Sequence, residues 1–271
     1  MRRKLLMLLP LMGLCLFLIP DRTPVAYSLP IAALSEYVDD GTTLPDDEMM
    51  ARLARDNPVQ FLDTCLRRYN REIRGYSGEL RKQERLEGKL APVEAIDFCF
   101  REDPYSVLMK WKEGVRLVRG SLYHECENEG KALVRPKLLN IVIEQDPEGR
   151  LARQSSRYTM KEFSIRQGTE RTLRAWRAAY EKGTLNVEYK GVQSVAELGG
   201  RKCHILKRFV NPPEEEGLAT IEIAVDAETW LQTGSTLIDG NGELIGKYFF
   251  PVVNINPVFP DDTFTKANLK K

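Results

Sequence analysis

The side chains that could bind a metal or act as a nucleophile are few in this sequence, and they fall in two places. His124 and Cys126 stand two apart on one expected strand, and Cys203 and His204 are adjacent on another. Three of these four, brought together, would suit zinc, since imidazole and thiolate are its preferred ligands. The same atoms could form a Cys–His nucleophile pair. Neither spacing is a short metal motif, and no helix start or Gly-rich loop frames a nucleophile. Ordinary packing or a disulfide accounts better for both. Asp239-Gly240-Asn241-Gly242-Glu243 has the opening of a calcium loop but lacks the later bidentate acid and falls between strands. A hairpin turn explains it. With two histidines in 271 residues, we expect no enzyme, no cofactor and no metal.

The remaining cysteine chemistry depends on compartment. Arg2-Arg3-Lys4 precede an apolar run from Leu5 to Pro20, broken at Pro10 and Gly13. A basic start followed by a short apolar stretch is the pattern of a secretory signal. The run is shorter than a bilayer span requires. Ala26 and Ser28 offer the small residues that cleavage after Ser28 would need, and an uncleaved anchor touching the membrane is the rival reading. Met12-Gly13-Leu14-Cys15 lacks the small residue that should precede a lipidated cysteine. Export would carry Cys65, Cys99, Cys126 and Cys203 into an oxidising compartment, where two bridges in three connectivities are open to them.

The elements that must position these residues follow from periodicity. The expected organisation is an export segment or anchor over 1–28, a proline-rich linker over 29–45, and one folded domain over 46–271. At 29% charged and 42% hydrophobic the chain has ample core for that domain. Forty basic against thirty-nine acidic residues leave no positive excess of the kind a nucleic-acid protein concentrates. A first helix is expected over 46–55. Asn57-Pro58 opens a better one, with Phe61, Leu62, Cys65, Leu66, Tyr69 and Ile73 on one stripe. Residues 75–135 read as a meander of strands without intervening helices. Within it 78–87 is polar on both sides, as an edge or partly exposed strand would be. A second main helix is expected over 169–182, capped by Thr169 and stopped at Gly183, with Arg171, Arg174 and Arg177 on a solvated face. Strands return to the end of the chain, with Asp239-Gly240-Asn241-Gly242 as its clearest hairpin turn and a basic tail after Phe264.

Alternation predicts which side chains share the dry face of this sheet. Val107, Met109 and Trp111 form one row, Ile221, Ile223 and Val225 a second, and Leu244, Tyr248 and Phe250 a third. The fold class is therefore α+β: a mostly antiparallel sheet with two main helices packed on it.

Several phrases, taken together, carry a resemblance. They are Arg101-Glu102-Asp103-Pro104-Tyr105-Ser106-Val107 with Lys110-Trp111, and Asp146-Pro147-Glu148-Gly149-Arg150-Leu151-Ala152 with Ser156-Arg157-Tyr158. Val225-Asp226-Ala227-Glu228-Thr229, Asn254-Ile255-Asn256 and Asp262-Thr263-Phe264 complete the set. Over roughly Phe61 to Phe264 the sequence resembles a bacterial domain family of unknown function, numbered 1571, of the LolA/LolB-like lipoprotein-carrier kind. The resemblance implies a strongly curved sheet, a half-closed barrel, with helices across its open side and a cavity that shelters acyl chains. It supplies no catalytic residues, and the four cysteines lie outside its pattern. The three rows become the expected cavity lining. The partner implied is a lipid or lipoprotein acyl chain, held by an exported protein in the periplasm or anchored facing it. A protein-interaction module using the same half-barrel for an envelope protein is the alternative.

Overall fold

The computed structural model describes residues 43–270. The expected export segment and nearly all of the linker lie outside the described residues.

Two helices open the described chain. Helix α1 (Asp47–Asp56) is capped by Asp46, whose carboxylate accepts from the Met49 amide at 2.8 Å. Helix α2 (Pro58–Glu72) starts at Asn57-Pro58 as the sequence indicates, with Asn57 accepting from the Gln60 amide. Its whole predicted stripe is buried.

Twelve strands follow in two meanders. The first runs β1 (Gly75–Leu86), the two-residue β2 (Lys89–Leu90), β3 (Glu94–Arg101), β4 (Ser106–Glu113), β5 (Val118–His124), β6 (Ala132–Pro136) and β7 (Ile143–Gln145). A short helix α3 (Arg150–Ser155) and the long helix α4 (Ile165–Glu181) then cross over. The second meander is β8 (Asn186–Val195), β9 (Arg201–Phe209), β10 (Leu218–Asp226), β11 (Gln232–Asp239) and β12 (Leu244–Ile255), and helix α5 (Lys266–Lys270) follows it. The sheet order is β7-β6-β5-β4-β3-β1-β12-β11-β10-β9-β8, with β2 paired to β1 alone. All pairings are antiparallel.

The two meanders meet at the β1–β12 pair in the middle of the sheet. They meet closely: a Cβ on Gly78 would lie 1.8 Å from the Val252 carbonyl oxygen, so only glycine fits there. Beta-bulges in β4, β5, β8, β10, β11 and β12 add twist and curl the sheet. Alternate residues then face two environments. The concave side carries Tyr76, Leu80, Ile96, Phe98, Phe100 and Val107 in one core, and Leu206, Ile223 and Val225 in another beneath α1, α2 and α4. The convex side carries two smaller cores, one of them closed by Phe264 and Leu269 of the C-terminal segment. That segment is thus a packed helix, where the sequence suggested only a basic tail.

Two expectations are corrected. Helix α4 begins four residues before the expected Thr169. Its cap is Ser164, which accepts from the Gln167 amide, while the Ile165 N–H donates to the Tyr76 hydroxyl at 2.6 Å. Thr169 bonds back to the Ile165 carbonyl instead. Strand β1, read as an edge or partly exposed strand because its two faces are polar, is partly exposed but lies at the centre of the sheet. Its polar residues find partners on neighbouring elements, which periodicity cannot reveal.

Candidate functional site

A cavity of about 760 Å³ lies between the concave face and α4, within the size range of ligand sites. Ile165, Gly168, Thr172, Ala175 and Trp176 of α4 roof it. These positions recur every three to four residues, so one face of the helix does the covering. The segment from α3 to the start of α4 forms one wall. Leu80, Ile96, Met109, Trp111, Tyr248 and Phe250, from four strands, form the apolar floor.

Of the three predicted rows, Met109, Trp111, Ile221, Tyr248 and Phe250 line this space. Val107, Ile223 and Val225 are wholly buried in solid core beside it. Leu244 stands at the start of β12, outside the lining. The reason is coverage: Ile223 and Val225 lie beneath α1, α2 and α4, and Val107 packs in the core that Tyr69 and Ile73 at the end of α2 close, so only the part of each row beyond these contacts borders empty space.

The sequence reading missed the polar part of the floor. Lys82 and Glu84 on β1 and Glu94 on β3 share the concave face, all three under 10% exposed. Lys82 Nζ lies 2.8 Å from Glu84 Oε2 and 3.3 Å from Glu94 Oε2. Trp111 Nε1–H donates to Glu94 Oε1 at 3.0 Å, and the Tyr248 hydroxyl to Glu84 Oε1 at 2.8 Å. Lys82 also donates to Ser156 Oγ at 2.8 Å, and the Arg157 amide reaches Glu84 Oε1. One lysine against two carboxylates leaves a net negative charge, spread over these donors. Burial works to raise the Glu84 carboxyl, but the charge and hydrogen bonds of Lys82 prevail, so it titrates below the usual carboxylate range. Burial, with the Glu84 charge beside it, pushes the Tyr248 phenol far up.

The roof is tied to this floor. Arg171 of α4 stacks its guanidinium 4.0 Å over the Tyr158 ring, and Tyr158 packs against Tyr248 with ring centres 5.6 Å apart. Arg171 is therefore half-buried, not on the solvated face expected of it. Arg157 forms an ion pair with Glu216 of the β9–β10 loop, and both border the cavity.

The residues first singled out for chemistry do not converge. His124 Nε2 lies 3.1 Å from Arg101 Nη2, and its Nδ1 accepts from the Cys126 amide. His204 Nδ1 pairs with the Tyr189 hydroxyl at 2.9 Å. Strands β5 and β9 belong to opposite halves of the sheet. Among the described residues no group of three His, Cys, Asp or Glu is gathered as metal ligands would be.

The disulfide expectation is also corrected, since Cys65, Cys99, Cys126 and Cys203 are all unbridged. Cys65 lies in the concave core and Cys203 in a convex one, with the sheet between them. Cys99 on β3 is separated from β9 by four strands and from β5 by one. Cys126 lies in the turn beyond β5, four residues past Leu122, which is the residue in register with Cys99 two strands away, so this pair too is out of disulfide reach.

The family described as protein of unknown function DUF1571 matches residues 73–270. The chain belongs to that family. No curated protein matches it. Among solved structures it is similar to MucB, at 14% identity and a TM-score of 0.46, covering 77% of this chain and 62% of that one. It thus spans only 62% of the length of MucB. It is similar also to an uncharacterised conserved protein from Thermus thermophilus, at 9% identity and a TM-score of 0.44, over 79% of this chain and 94% of that one. The Mycobacterium tuberculosis lipoprotein LppX matches at 10% identity and a TM-score of 0.40, over 76% of this chain and 100% of that one. At such scores these likenesses say nothing about what a DUF1571 protein binds.

Proposed function

We propose that this DUF1571 chain is a non-enzymatic, exported binding protein of the cell envelope that shelters an acyl chain of a lipid or lipoprotein beneath α4. One observation carries the reading: an apolar-floored cavity of about 760 Å³ lies between the sheet and a single covering helix. About a dozen methylenes buried there would contribute about 10 kcal/mol, enough to offset typical costs of association. The buried Lys82–Glu84–Glu94 group does not argue for catalysis. Each of its four carboxylate oxygens already accepts a bond or ion pair from within the protein. It holds the floor and the α3–α4 segment together, and it restricts apolar cargo to the space beyond it.

Native mass spectrometry of the protein purified from its own host tests this. The expected spectrum contains a co-purifying mass identifiable as a lipid or acylated peptide. A protein carrying no such mass, which also takes up none when mixed with host lipid extract, overturns the reading.

A further inference from the structure

One end of the cavity opens between the β4–β5 loop, the β6–β7 loop and α3, where Leu117, Pro136, Ile143 and Leu151 line it. The loops are joined there: the Lys137 amide donates to the Leu117 carbonyl at 2.8 Å, and Lys137 Nζ to the Val115 carbonyl at 2.7 Å. Around this opening the structure leaves large apolar side chains in solvent. Leu138 is 90% exposed, and Leu117, Leu139, Ile141 and Leu151 are each more than half exposed. Scattered exposed apolar side chains need no explanation, but five around one opening do.

The charges of the same segments are of one sign. Residues 115–119, 137–142 and 150–155 contain Arg116, Arg119, Lys137, Arg150 and Arg153, and no aspartate or glutamate. Of the flanking acids two are paired with cations, while Glu113 and Asp146 form no ion pair among the described residues. Glu144 pairs with Lys131, Glu148 pairs with Lys161, and Asp146 accepts from the Glu148 amide. Lys137 and Arg153 donate to backbone carbonyls, which leaves their charge uncompensated.

From this arrangement we infer that the rim of the cavity is a membrane-docking surface for a bilayer rich in anionic lipid. Apolar tips flanked by cations suit the headgroup–acyl boundary: the leucines enter it, and the arginines and lysine meet lipid phosphates. A protein partner of matching shape would need an acidic rim around an apolar centre, whereas an anionic bilayer supplies both at any orientation. The docked cavity would open toward the lipid. The inference stands apart from what the cavity holds.

Hydrogen–deuterium exchange on the full chain tests it, with phosphatidylcholine vesicles made with and without phosphatidylglycerol. Exchange should slow in 115–119, 137–142 and 150–155 on the anionic vesicles, and the slowing should fade with added salt. Leu138→Glu with Leu139→Glu should weaken that vesicle response about tenfold, while Leu90→Glu, an exposed leucine elsewhere, leaves it unchanged. Unchanged exchange in the three segments on anionic vesicles overturns the inference. So does slowing without vesicles that grows with protein concentration, which would make the surface a self-association face. A fluorescent fatty acid measured on the same samples keeps the two proposals separate, because either can fail alone.

Discussion

The Tyr248 hydroxyl on β12 donates to Glu84 on β1 across 2.8 Å, and this bond crosses the one seam where the two meanders join. Glu84 in turn holds Lys82, and Ser156 and the Arg157 amide reach Glu84 from the segment that leads into α4. A single buried carboxylate therefore couples both halves of the sheet to the cover over the cavity.

Removing Lys82 should expose how much depends on this. Lys82→Met would leave Glu84 and Glu94 buried without their shared cation. Uncompensated buried charge of this kind costs about 3–5 kcal/mol. Urea unfolding should show a loss of that order, and a change under about 1 kcal/mol would mean that the cluster contributes little.

The same carboxylate sets a pH dependence. Glu84 titrates below its ordinary value when folded, so the unfolded chain binds its proton more readily. Its contribution is complete above the usual glutamate value of about 4.3 and is lost as pH falls through the lower folded value. Melting temperature should drop in that acid window, and Glu84→Gln should flatten this part of the profile. An unchanged profile in the variant would contradict the assignment.

The cysteines give a chemical check. Labelling of the denatured, unreduced protein should modify Cys65, Cys99, Cys126 and Cys203 alike. In the native protein Cys126, which is exposed, should react first. Cys65 and Cys203 should resist, because burial raises both thiols, Cys203 to about 11. A bridge found by peptide mapping would require a rearranged sheet.

What could be read from the sequence was whatever depends on local pattern. The Asn57-Pro58 start of α2 needs only its own side chains, and the rows Val107-Met109-Trp111 and Ile221-Ile223-Val225 need only alternation. What escaped depends on partners distant in sequence. Lys82 and Glu84 look like edge-strand residues until Glu94, Tyr248 and Ser156 are brought beside them. Ser164 caps α4 through a helix start with Gly168 in its first turn, a residue that argues locally against helix. Which members of a dry row border a cavity and which are sealed, as Val107 and Val225 are, depends on where α1, α2 and α4 stop.

Binding of a fluorescent fatty acid to wild-type protein and to Met109→Glu tests the central claim most directly. Met109 borders the cavity from β4, so a carboxylate there would meet an incoming acyl chain. Wild-type protein should bind the probe saturably, and Met109→Glu, if it keeps its cooperative melt, should bind it at least about tenfold more weakly. No saturable binding by the wild type, or equal binding by a folded Met109→Glu, would contradict an acyl-chain site beneath α4.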